Sequence, residues 1–221
     1  MLEISSIEEI QSSDNVTESI GFHKSRVVKS SRNSVVNVMS MADTGYISSS
    51  SGTYFTKNGK HYIITVSHGV YDECSSIRIL TNLNMYECVN IALIDRQIDY
   101  AIIEVEEIPE KTAIRLPKNY PKPQEWKNEL SIMNEVYYTG YPNGIGPLTI
   151  DGKIIGHDLN ENLFVHSFAW PGSSGSGVFS ESGNLIGIIA AISIGTTEFG
   201  VDVLEDIVIV IPLYKINWDV L

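Results

Sequence analysis

The chain has 221 residues, 43% hydrophobic and 19% charged, with 27 acidic against 15 basic side chains and a formal net charge of −12. This is the balance of a globular protein with room for one or two small lobes, and not that of a disordered chain. It excludes a basic nucleic-acid-binding face as the main role, and no apolar run, residues 207–213 included, is long enough to span a bilayer.

Residues 1–20 carry Ser, Asp and Glu with little periodicity and are expected to form a flexible lead-in. They lack a basic start followed by an apolar stretch, so no secretory signal is seen and a cytoplasmic location is expected, in a host cell if the source is viral. The cysteines, Cys74 and Cys88, sit in no motif and are expected to be free thiols in a reducing compartment.

Residues 34–39 read as a first strand. A Ser/Gly cluster at 48–52 follows, then an apolar segment at 53–56. The pair Asn58-Gly59 suits a tight hairpin turn, and residues 61–66 are the returning strand, running into Ser67-His68-Gly69. Short strands recur at 76–80, 88–94 and 99–105 with turn residues between them, and no stretch has a 3.6-residue apolar period. Residues 106–127 hold Pro109, Pro117, Pro121 and Pro123 among charges and read as a linker. Beyond it come strands at 135–139, 147–155, 163–170, 185–190 and 203–211, with Gly140-Tyr141-Pro142-Asn143-Gly144 as a turn. The pattern predicts an all-β fold.

Gly172-Ser173-Ser174-Gly175 lies between two apolar strands, where a flexible linker is out of place. Glycines around a serine let the backbone approach a reacting carbonyl and let amide N–H groups converge. Acyl transfer by serine also needs a base and an acid to orient it. His68, at a strand end, suits the base. Asp99, opening the apolar run Tyr100-Ala101-Ile102-Ile103, suits the acid better than Asp95, which is followed by Arg96-Gln97. Of the three serines only Ser174 has Gly two positions before it and Gly directly after. No cofactor is implied, and no His/Cys/Asp cluster has metal-ligand spacing.

The segments Thr65-Val66-Ser67-His68, Asp99-Tyr100-Ala101-Ile102-Ile103, Gly172-Ser173-Ser174-Gly175-Ser176 and Gly187-Ile188-Ile189 together resemble the trypsin-like (chymotrypsin-fold) serine proteases, in the family's order of His, Asp, Ser. The resemblance runs from about residue 34 to 211, and its compact spacing is similar to that of bacterial and viral members, a viral or phage processing protease among them. It implies two packed antiparallel β-barrels, the first at 21–112 with His68 and Asp99 and the second at 113–221 with Ser174, the active site lying between them. It implies a catalytic triad of His68, Asp99 and Ser174, an oxyanion hole of the Gly172 and Ser174 N–H groups, and a substrate pocket involving Phe168, Ala190, Ala191 and Ile192. The implied substrate is a polypeptide adding as a strand, with a small or medium apolar P1 residue. Ser173 stands where digestive members carry Asp, so activation by a new N-terminus is not expected. A non-catalytic protein of this fold that binds a protein partner is the alternative. An α/β-hydrolase esterase fails, because that fold wants a His after the serine and none follows Ser174.

Overall fold

The computed structural model describes residues 7–11, 17–21, 24–116, 129–197 and 200–221, with side chains described at 21, 24–116, 129–190 and 206–221. Part of the expected linker, with Pro117, Pro121 and Pro123, lies outside the described residues. So do the side chains of Ala191 and Ile192.

Two closed antiparallel barrels of six strands each dominate the fold. The first contains β3 (Val35–Met41), β4 (Ile47–Lys57), β5 (Lys60–Thr65), β6 (Ile77–Leu80), β7 (Met85–Asp95) and β8 (Tyr100–Val105). They run in the order β3-β6-β7-β8-β5-β4, and pairing of β3 with β4 closes the ring. A two-residue strand, β9 (Ile114–Arg115), adds in parallel to β4 at Phe55 and Thr56. The second barrel contains β10 (Glu135–Gly140), β11 (Leu148–His157), β12 (Leu163–His166), β13 (Gly177–Ser180), β14 (Leu185–Thr197) and β15 (Gly200–Pro212). Its order is β10-β11-β12-β15-β14-β13, and β14 and β15 continue as a ribbon to the pair Thr197 and Gly200.

The continuous apolar runs in the sequence come from strands buried on both faces. Ile63, Ala101 and Ile103 point into the first barrel. Their neighbours Tyr62, Ile64 and Ile102 point the other way, into a second cluster. That cluster also takes Phe179, Ile188 and Ile211 from the second barrel, whose own interior holds Val178, Ile189 and Val210. Successive side chains of a strand alternate between faces, so each barrel fills itself with one set and joins its neighbour with the other. The C-terminal turns cross back to the first barrel, where the Trp218 ring meets Phe55 edge-on at 5.6 Å.

Three local features go beyond what the sequence pattern predicts. Within the lead-in, β1 (Ile7–Gln11) and β2 (Thr17–Gly21) pair as an antiparallel hairpin. A helix absent from the sequence reading, α1 (Ser25–Ser34), precedes β3. Its buried face is Val27, Ser31 and Ser34, small and largely polar, so it leaves no apolar period in the sequence. The Ser31 hydroxyl donates to Thr139 Oγ1 at 2.7 Å on β10 of the second barrel. The Ser/Gly cluster at 48–52 forms the first half of β4, with Ser50 and Ser51 buried and Ser51 bonded to the serine loop of the second barrel.

The expectation of free thiols is also overturned: Cys74 and Cys88 form a disulfide, with Cα atoms 5.3 Å apart. Antiparallel pairing of β6 with β7 brings the start of one strand beside the other, which sequence spacing alone does not reveal. The thiol-based reason for expecting a reducing compartment falls with it. Among the described residues no helix is long and apolar enough to cross a membrane.

Candidate active site

The candidate base sits just beyond β5, in a short 3-10 turn from Ser67 to Gly69. Arg96 clamps this turn: its guanidinium donates to the carbonyls of Ser67 and Val70 and to Asp72 at 2.6 Å. Gly69 lies against Ser50, where an added Cβ would come within 2.8 Å of the hydroxyl oxygen.

Asp99 is turned towards His68 by the β7–β8 connection. Asp95 Oδ1 accepts the N–H groups of Gln97 and Ile98, both at 2.9 Å, and its carbonyl accepts the Asp99 N–H at 2.9 Å. The Asp95 carboxylate, the competing candidate acid, is thus committed to its own turn. Asp99 takes the left-handed conformation, φ 74°, which aspartate tolerates better than most residues. Its Oδ2 lies 2.7 Å from His68 Nδ1, and its Oδ1 accepts the His68 backbone N–H and the Ser67 hydroxyl, each at 2.9 Å. Burial acts to raise the Asp99 pKa, but the His68 ring, the His68 N–H and the Ser67 hydroxyl outweigh it and hold the carboxyl below its ordinary value. An ionised carboxylate only accepts, so Nδ1 carries the ring proton and Nε2 is left with a free lone pair.

The serine loop is two successive tight turns. Ser173 N–H donates to Trp170 O at 2.9 Å and Ser176 N–H to Ser173 O at 3.1 Å. Gly172 and Gly175 both have positive φ, 94° and 86°. A Cβ on Gly175 would lie 2.0 Å from Ser51 O, so the motif glycines are required by conformation and by space. Of the three serines, Ser173 and Ser176 are fully buried and only Ser174 reaches the surface.

Each peptide group of the loop is held by its carbonyl. Pro171 O accepts Asn143 N–H at 2.6 Å, Gly172 O accepts the Ser51 hydroxyl at 2.7 Å, and Ser174 O accepts Ser51 N–H at 2.8 Å. In a trans peptide the N–H points opposite to the C=O. The Gly172 N–H therefore points away from the anchored Pro171 carbonyl, and the Ser174 N–H away from the Ser173 carbonyl, which accepts Ser176 N–H at 3.1 Å; neither N–H has a protein acceptor among the described residues.

His68 and Asp99 are thus brought into direct contact. The Ser174 loop is anchored beside them through Ser51, whose carbonyl accepts the hydroxyl of Thr65, three residues before His68, at 2.7 Å. Among the described residues the Ser174 hydroxyl itself makes no hydrogen bond, to His68 or to any other group; such bonds are commonly long without substrate. The Phe168 ring is 57% exposed and stacks on Trp170 with centroids 6.1 Å apart, while its carbonyl accepts the Tyr138 hydroxyl. Ala190 is buried in the inter-barrel cluster, and the backbone of Ala191 and Ile192 continues β14. Among the described residues no group of three or more His, Cys, Asp or Glu side chains is arranged to hold a metal ion.

Ser51, Ser67, Arg96 and Asn143 were not singled out by sequence. Serines are common in turns and an arginine beside an aspartate is ordinary surface chemistry, so only their partners distinguish them.

The sequence matches a family described as the trypsin-like peptidase domain over residues 50–188, more than half of the chain. No curated protein matches it by sequence. Its fold is similar to that of the serine endoprotease from Yersinia pestis, with a TM-score of 0.67 and 20% identity, over 89% of this chain and 64% of that one. The chain therefore spans just under two thirds of that protein's length. It is also similar to the active form of the Rv3671c protease from M. tuberculosis, with a TM-score of 0.62 and 17% identity, over 84% of this chain and 78% of that one. The matched span takes in the His68–Asp99 contact and the serine loop, and the chain belongs to the trypsin-like peptidase domain family.

Proposed function

We propose that the chain cleaves polypeptides through a Ser174 acyl-enzyme. The observation that carries this is the His68–Asp99 pair, in which a carboxylate with depressed pKa fixes the imidazole by ring and backbone together. Ser174 Oγ attacks the scissile carbonyl carbon and its proton passes to His68 Nε2. Asp99 stabilises the resulting imidazolium, and the Gly172 and Ser174 N–H groups receive the negative oxygen. The tetrahedral adduct collapses, the C–N bond breaks, and the leaving amine takes the proton from Nε2. Water then enters, gives a proton to Nε2 and adds to the ester. The acid product leaves as the proton returns to Ser174.

The substrate backbone is proposed to add as a strand along β14. Ile189 of β14 bonds to Ser176 and Gly175 of the serine loop, and beyond it, among the described residues, β14 pairs only with β15, leaving a free edge next to that loop. Phe168 places no acidic group near the pocket, which favours an apolar P1 residue.

The test is intact-protein mass after a fluorophosphonate, in which Ser174 Oγ displaces fluoride from phosphorus. One label on the wild type and none on Ser174→Ala is expected. A folded wild type that takes no label refutes the reading and favours a protein-binding role instead.

A further inference from the structure

Ser51 occupies the point where the first barrel, the serine loop and the start of the β10–β11 connection meet. It is fully buried and pairs with Asn37 in the β3–β4 ladder. Its own N–H and C=O both point out of that ladder. The N–H goes to Ser174 O at 2.8 Å, and the carbonyl accepts the Thr65 hydroxyl at 2.7 Å. Its hydroxyl is used twice, accepting the Tyr141 N–H at 2.8 Å and donating to Gly172 O at 2.7 Å. A serine hydroxyl has one proton, so the Tyr141 contact leaves that proton for Gly172.

We propose that Ser51 is a positioning residue for the oxyanion hole, an inference that rests on the triad reading above. The Gly172–Ser173 peptide lies between the two proposed oxyanion donors, the N–H groups of Gly172 and Ser174. Its orientation sets the angle between them. Gly172, with φ 94°, has no side chain to oppose rotation of that peptide. The restraint comes from its two ends: Ser173 N–H bonds to Trp170 O within the loop, and Gly172 O is held by Ser51 from the opposite barrel. Of these two, only the second ties the peptide to the framework that carries His68. Its removal leaves Ser174 O still held by Ser51 N–H but frees the Gly172–Ser173 peptide to rotate, and the two N–H groups lose their common target. Donors placed in advance are what makes such a hole effective, since no reorganisation is then needed during reaction. The effect falls on the transition state and not on ground-state binding.

The test measures fluorophosphonate labelling of Ser174 as a function of probe concentration, alongside thermal unfolding. Ser51→Ala removes the hydroxyl. Ser31→Ala removes a different buried hydroxyl, the one bonded to Thr139 on β10, and serves as a control for stability loss alone. Ser51→Ala is expected to lower the maximal labelling rate by about ten-fold or more while the half-saturating concentration stays unchanged. Ser31→Ala is expected to unfold earlier yet label at the wild-type rate. Ser51→Cys keeps the volume with a weak donor and is read in the same way if the alanine variant does not fold. A folded Ser51 variant with the wild-type maximal rate overturns the inference alone, as does an equal loss in Ser31→Ala. A wild type that takes no label overturns the triad reading and this inference with it.

Discussion

Replacing Asp99 with Asn keeps the shape of the side chain and changes what it offers His68. The carboxylate accepts two donors at Oδ1, the His68 N–H and the Ser67 hydroxyl, and faces the imidazole with Oδ2. In Asp99→Asn the amide oxygen is held at the Oδ1 position by those two donors, because the reverse placement sets its NH2 against the fixed backbone N–H. The NH2 then faces Nδ1 at 2.7 Å and donates to it. The imidazole must move its proton to Nε2, which can no longer accept one from Ser174. A wrong tautomer of this kind costs about 10⁴ in rate, or about 5.4 kcal/mol in the barrier. The assay is the rate of Ser174 labelling by a fluorophosphonate at pH 7, with thermal unfolding to confirm that the variant is folded. A folded Asp99→Asn protein labelled within about ten-fold of wild type refutes the assigned tautomer.

Four further outcomes are expected. Gly175→Ala should lose about 3 kcal/mol or more of stability, from its positive φ and from a Cβ placed 2.0 Å from Ser51 O; denaturant midpoints measure it, and a neutral result contradicts the loop geometry. Ser176 Oγ is buried with no hydrogen-bond partner among the described residues, so Ser176→Ala should raise stability by about 1 kcal/mol; a clear loss by the same measurement would contradict this. The disulfide closes a loop with a sequence separation of 14, so reduction should cost about 3 kcal/mol, and alkylation of two thiols without reductant would contradict the pairing. Glu110 accepts from Thr81 at 2.6 Å, Tyr86 at 2.5 Å and Asn84 at 3.1 Å, and these bonds outweigh its burial and hold its pKa at about 2 against an ordinary 4.5. A carboxylate with depressed folded pKa stabilises fully above the unfolded value and loses that contribution as pH falls through the folded one. The stability gap between wild type and Glu110→Gln should therefore close between about pH 4.5 and about 2; a gap that persists at pH 2 refutes the assignment.

Much of the fold was legible where strands are strongly apolar, as at residues 61–65 and 100–105. Asn58-Gly59 makes the turn it predicted, with φ 52° and 81°, and joins β4 to β5. Helix α1 was missed for the reason that hid Ser51: both bury serine against the partner barrel, and small polar contacts leave no apolar period to read. The disulfide was missed because two cysteines 14 apart carry no geometry until β6 and β7 pair. At the candidate site, each half of the constellation was visible as a motif, while the groups that aim it were not. Ser67 and Arg96 act on Asp99 and on the His68 turn through bonds that only folding creates.

The amino-acid sequence alone determined the family, the two-barrel expectation and the identity of His68, Asp99 and Ser174 as candidates, because local chemistry dictates those residues. A base follows a buried strand, an acid precedes one, and a serine sits between glycines whose positive φ is a property of the chain itself. The tertiary structure alone decided which serine reaches the surface, which aspartate is free to face the imidazole, and which hydroxyl from the other barrel holds the serine loop. Those choices depend on what each polar group finds to bond with once buried, and a buried donor or acceptor is assigned its partner only when two distant segments meet.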